Sequence, residues 1–246
     1  MKSVLFTVLI SLCLFACRKP ENRLCFKSNG EEKTIEHYVG AFTRLKLHPH
    51  IAYVIVQDSL DKIEVTGGAN IVNHITWSMS NGELSIENTN KCSFLRKSSQ
   101  ELVVTIHCTE IYNIHYEGTE YLRSVGTIHS DYFVLQVRDG AGPVTLALQS
   151  KVIDADISHG WGDYTITGET EVAKISARSN GYCNTYGLHV TDSLYVASET
   201  PGIVKVRADG IPMTGYSKGS GDIWYQGTPT YIDVFLSGKG QVVNKN

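Results

Sequence analysis

Glycine returns at a near-constant interval through the second half of the chain, at Gly118, Gly140, Gly160, Gly181, Gly202, Gly219 and Gly238, with steps of 22, 20, 21, 21, 17 and 19 residues. An internal period of this size marks a repeat architecture, in which each unit is too small to bury its own apolar face and stacks on its neighbours instead. Four sites carry a Gly-x-Gly unit: Gly140-Ala141-Gly142, Gly160-Trp161-Gly162, Gly219-Ser220-Gly221 and Gly238-Lys239-Gly240. Each is followed by a short alternating run such as Asp163-Tyr164-Thr165-Ile166-Thr167 or Asp222-Ile223-Trp224-Tyr225. Alternation with period two is the signature of a half-buried strand. Further corners at Gly168, Gly187 and Gly227 precede another strand, such as Val172–Ser176 or Ile232–Leu236, so one period holds about three short strands and three corners. Coils stacked ~4.8 Å apart would pair every backbone group with the coil above and below. Glycine at the corners is expected to supply both φ > 0 and room for the next coil. A β-sandwich also spaces its strands by turns, but it does not predict a Gly-x-Gly unit at this period.

The first half reads as strands without that period. Phe42–Leu47, Tyr53–Val56, Lys62–Val65, Trp77–Met79, Glu83–Glu87 and Leu102–Ile106 are short apolar or alternating runs, and Ala69–Ile75 allows one helical turn. Asn81-Gly82 between two of the runs predicts a hairpin, because both central positions of a type I′ turn need φ > 0. Lys91–Gln100 reads as a polar loop.

The N-terminus is of another kind. Val4–Phe15 is almost continuously apolar after Met1-Lys2 and ends at Leu14-Phe15-Ala16-Cys17 before Arg18-Lys19. The run is too short for a membrane span and has the layout of a signal peptide. Its ending resembles the lipobox of bacterial lipoproteins, with Cys17 as the lipidated residue, although Phe15 is bulky for its position. The organisation expected is therefore a signal peptide over 1–16, a tether over 17–37, an N-terminal β half over 38–110 and a C-terminal β-helical half over 111–246. Lipid on Cys17 would hold the protein at the cell envelope, on the outer membrane. Four cysteines remain beyond it, Cys25, Cys92, Cys108 and Cys183, which allow three disulfide pairings or buried free thiols. A net charge of −3 carries no basic footprint for nucleic acid, and that class is set aside.

The region from Tyr38 to Val243 resembles the head-GIN domain family, described as a "putative auto-transporter adhesin" and common in lipoproteins of Bacteroidetes-type bacteria. The resemblance rests on Phe42–Leu47, Lys62–Gly68, Asn81–Ile86, Gly219–Gly227 and the closing Ser237-Gly238-Lys239-Gly240. It implies an all-β protein, a right-handed single-stranded β-helix, or β-solenoid, built in two halves, and brings no catalytic residues. The middle coils depart from the pattern, since Gly181-Tyr182-Cys183 and Gly202-Ile203-Val204 lack a second glycine.

No chemistry of an enzyme emerges from the residues, and no cofactor is expected. Asp163 and Asp222 are three periods apart, ~14 Å at one coil spacing each, too far for a glycosidase pair. Asp154 and Asp156 share a strand face, which an ordinary solvated surface explains. His48-Pro49-His50 and His107-Cys108 with His115 lack the spacing of a metal site, and none is expected. Aligning the repeats by their glycines puts Ala141, Trp161, Tyr182, Ile203, Ser220 and Lys239 in one column. Trp161 and Tyr182, with Trp224 and Tyr225 nearby, form the candidate binding surface, a platform for a sugar ring or a partner protein. The expected function is thus a non-enzymatic envelope lipoprotein for adhesion or binding of a glycan or surface protein. A structural role ranks second and a polysaccharide-processing enzyme third. The N-terminal region from Tyr38 to Glu110 is expected to cover one end of the stack.

Overall fold

The computed structural model describes residues 28–90 and 101–246. The leader, Cys17, Cys25 and the Lys91–Gln100 loop with Cys92 lie outside the described residues. The first half contains β1 (Glu32–Tyr38), β2 (Arg44–Leu47), β3 (Ala52–Gln57), β4 (Lys62–Gly68), β5 (Ile75–Ser80), β6 (Glu83–Asn88) and β7 (Val103–Cys108). A 3-10 turn, Val72–His74, precedes β5, within the stretch where a helical turn was expected. The second half continues with β8 (Asn113–Tyr116), β9 (Leu122–Arg138), β10 (Pro143–Ser158), β11 (Asp163–Arg178), β12 (Tyr182–Asn184) and β13 (Leu188–Glu199). It ends with β14 (Val204–Arg207), β15 (Met213–Ser217), β16 (Ile223–Gln226), β17 (Ile232–Leu236) and β18 (Val242–Asn244). The eighteen strands of the described residues join one continuous sheet, and the second half is a β-solenoid of about seven turns with ~20-residue coils.

Two faces carry the stack, each a parallel ladder. On one face β3, the start of β9, the starts of β10 and β11, β12, β14, β16 and β18 succeed one another. Its inward column runs Tyr53, Leu122, Val144, Tyr164, Cys183, Val204, Ile223, every member fully or almost fully buried. On the other face β2, β8, the ends of β9 to β11, β13, β15 and β17 follow in order, with Leu45, Ile114, Leu135, Ala155, Ile175 and Val196 inward. The core is therefore a set of like-on-like columns, which only a parallel register with identical side-chain phase can build. In β9, β10 and β11 the pairing continues round the bends, so that 16 or 17 residues form one bent strand where separate short strands were expected.

Buried tyrosines need partners for their hydroxyls. Tyr164 donates to the carbonyls of Ala155 and Ser176 at 3.1 Å each, and Tyr53 donates to those of His48 at 2.9 Å and Ile86 at 3.3 Å. Small residues, Ala155, Ala173 and Ala177, occupy inward positions on the face opposite Tyr164.

The corner glycines follow a rule other than the expected one. At Gly140 and Gly160 the left-handed backbone falls on the preceding residue, Asp139 at φ 54° and His159 at φ 58°. The glycines themselves are needed for close approach. A Cβ on Gly160, Gly219 or Gly238 would strike the carbonyl oxygen of Gly140, Thr200 or Gly219 in the coil before. At Gly168, φ +115°, and Gly227, φ +95°, the conformation demands glycine as well.

Antiparallel strands close the N-terminal end. One face continues from β3 to β7, then to β4 and β1, and the other from β2 to β6 and β5. Residues 32–37, expected as tether, belong to β1, because pairing with β4 satisfies a ladder that β4 would otherwise leave open. The β5–β6 hairpin turns at Asn81 (φ 51°) and Gly82 (φ 75°), both in the left-handed region as the sequence requires.

Candidate functional site

Trp161 stands on the corner before β11 and is 74% exposed, and Tyr182 opens β12 at 48%. They do not share a column. The ladder pairs Tyr182 with Asp163, and Cys183 with Val204, so Gly181 and Gly202 take the place of the second glycine of each pair rather than the first. A Cβ on Gly221 would correspondingly meet Gly202 O. In place of the expected stack, the two residues stand on adjacent coils two residues out of register.

Trp224 points outward from β16, opposite Lys205. Its ring lies between two ammonium groups, Lys205 Nζ at 5.8 Å and Lys245 Nζ at 4.3 Å from the centroid, and its Nε1 donates to Asp222 Oδ2 at 3.4 Å. Tyr225, the next residue, faces the other way and packs against the core. It therefore leaves the candidate surface, since strand alternation cannot present both neighbours to solvent. Tyr216 belongs to the other face, where its hydroxyl donates to Glu199 at 2.6 Å and Lys218 Nζ sits 4.4 Å from its ring. That bond to a carboxylate pushes the Tyr216 hydroxyl up to about 12.

The aspartates weighed in the sequence as a catalytic pair are not left as one. Asp156 lies between Arg138 Nη1 and Arg178 Nε, the latter 3.6 Å from its Oδ1, within an ion-pair ladder along the outer face. Asp222 accepts the backbone N–H of Gln241 at 2.9 Å, and burial raises the carboxyl of Asp163. His107 and His115 are on different faces. His107 Nδ1 meets Asp58 Oδ2 at 2.6 Å, while His115 Nε2 donates to Glu117 Oε1 at 2.8 Å. His48 reaches the same Glu117 at 3.1 Å and Glu87 at 3.6 Å. Among the described residues no group of three or more His, Cys, Asp or Glu is arranged to hold a metal ion, and no helix is long and apolar enough to cross a membrane. Cys108 and Cys183 are buried free thiols, each pushed up to about 12 by burial.

One surface was not singled out in the sequence. The middle segment of each coil carries outward polar columns, His129, Gln149 and Glu169 in one, in direct register. Their spacing of twenty residues is the same signal as the glycine period and could have been found by it.

The sequence pattern of the family described as "Putative auto-transporter adhesin, head GIN domain" matches residues 41–229. The fold is similar to that of a "putative adhesin" from Bacteroides fragilis, with TM-score 0.77 and 17% identity over 87% of this chain and 97% of that one. It is also similar to a "putative adhesin" from Parabacteroides distasonis, with TM-score 0.63 and 18% identity over 88% and 98%. A "putative lipid binding protein" from the same organism gives TM-score 0.62 and 15% identity over 89% and 98%. At such identities the likeness is one of fold. No curated protein matches the chain.

Proposed function

The chain belongs to the head GIN domain family, and from that membership we propose that it is a non-enzymatic binding module of the cell envelope. In this reading a lipid on Cys17 holds it at the outer membrane, and the outward surface of its solenoid meets a glycan or a protein of another surface. The family and two of the similar solved structures carry the description "putative adhesin", and the third that of a "putative lipid binding protein". The observation that carries the reading is the exposure of Trp161 and Tyr182 on one corner of a rigid stack. Aromatic rings left in water on a parallel ladder cost solvation, and grouped exposure of this kind is characteristic of an interaction surface. Trp224, with a lysine on either side, extends the surface toward the last coils.

The test is binding of the chain from Arg18 onward to bacterial and host cell surfaces, beside a Trp161→Ala/Tyr182→Ala variant of matched melting temperature. Saturable binding that is lost in the variant is expected. No binding by either protein would transfer the case to a structural role in the envelope.

A further inference from the structure

The middle segments of successive coils form a groove of about 470 Å³ that runs along the stack. Its floor is a ladder of hydroxyls, each closing a local turn: Ser130 donates to Tyr132 O at 2.7 Å, Ser150 to Val152 O at 2.9 Å and Thr170 to Val172 O at 3.1 Å. One wall is the column His129, Gln149, Glu169, and the other is Asp131, Lys151, Glu171. At the N-terminal end a second hollow of about 460 Å³ shares His129, Ser130 and Asp131 with the first and brings in Tyr112 and Tyr132. Those tyrosines are 42% and 45% exposed on adjacent coils.

We propose that this groove binds a neutral, unbranched glycan laid along the solenoid axis, with Tyr112 and Tyr132 receiving the apolar face of a ring at one end. The proposal rests on the reading of the protein as a binding module, but it places a ligand on a surface separate from Trp161 and Tyr182. Three features select the ligand. First, the walls offer a side-chain donor or acceptor at every coil, ~4.8 Å apart, close to the rise of one pyranose unit in an extended chain. A bound extended peptide presents same-side groups every ~6.6 Å and would fall out of phase with the coils. Second, the walls mix imidazole, amide, carboxylate and ammonium groups, which suits hydroxyls that both donate and accept. Third, Lys151 is already paired with Asp131 at 3.0 Å, while among the described residues Glu169 and Glu171 have no ion-pair partner. These carboxylates would repel a polyanion and would not repel a neutral chain.

The test is calorimetric titration of the chain from Arg18 onward with cello-, laminari-, manno- and chitohexaose and with the hexamer of polygalacturonate. Binding of at least one neutral hexamer is expected, weakened at least about fivefold by Tyr132→Ala, whose ring is worth what an aromatic contact usually is. Gln149→Ala, at an exposed position that carries no core contact, should weaken the same ligand. Tyr195→Ala, which removes an exposed ring from β13 outside both surfaces, should leave it unchanged, and the cell-surface assay of the corner variant reads that other surface separately. The proposal is overturned if no neutral hexamer binds, if binding ignores both groove variants, or if the uronate binds as well as the neutral sugars.

Discussion

A glycine in this fold is defined by what a Cβ would touch, and two positions separate conformation from space. Gly168 is at φ +115° and its Cβ would strike the carbonyl of Leu148 in the coil before. Gly126 is at φ +75° with no atom of the surroundings within 4 Å. Gly126→Ala therefore meets only the backbone penalty, about 1 kcal/mol. Gly168→Ala adds a clash inside a ladder that cannot spread without breaking hydrogen bonds on both sides, and should cost about 3 kcal/mol or more. Urea unfolding of the two variants measures the difference, and equal losses would refute the distinction. The period of the glycines was legible in the sequence because close approach recurs at every coil. Which corner glycines answer to φ and which to space was not, since both demands select the same residue.

Between residues and the whole lie the columns. Along one outer edge of the solenoid the ladder alternates charge, with His48 between Glu87 and Glu117, then Arg138 and Arg178 about Asp156, then Lys218 beside Glu199. Glu117 is the centre of the first group, engaged by Lys46, His48 and His115. Its partial burial tends to raise the carboxyl, but the hydrogen bond from His115 and the charges of Lys46 and His48 prevail and hold it below the ordinary value. A carboxyl lowered by folding stabilises the native state above its unfolded value, and that contribution fades as pH falls through the folded value. Glu117→Gln should accordingly lower Tm by about 2–4 °C near neutrality, with the difference shrinking as pH falls into the acid range through the lowered value. Thermal melts of both proteins across that range decide it, and a constant gap would refute the linkage. Such columns were only partly legible. The strands and the Asn81-Gly82 hairpin followed from alternation and turn chemistry, but register did not. Aligning Gly181 and Gly202 with the first glycine of the pair set Tyr182 against Trp161, whereas the ladder sets it against Asp163. Side-chain period fixes which face a residue is on, and a shift of two residues preserves that face while changing every neighbour. The Tyr225 position was decidable from alternation with Trp224 alone.

At the scale of the molecule, a stack of parallel coils has two ends, and every end is an open row of peptide groups above a slice of core. The chain closes the N-terminal one with antiparallel pairings: β4 runs against β7 and β1 against β4, and β5 runs against β6. Threading strengthens the closure. The β2–β3 coil inserts between the β6–β7 coil and the β8–β9 coil, so the cap and the solenoid cannot part without separating β2 from β8 and β3 from β9. A chain that begins at Glu110 would lose that coil and expose Ile114, Tyr116 and Leu122, all fully buried in the intact fold. It would also present β8 and the start of β9 as flat, unprotected edges, the template on which other chains pair. The truncated protein should therefore form oligomers or aggregate by light scattering at concentrations where the intact chain stays monodisperse. Restoring β2 and β3 alone should not cure this, because the edges then move to strands that β6 and β7 normally cover. A soluble, monomeric fragment from Glu110 onward would mean that the coils end themselves, and that the antiparallel strands serve something other than closure.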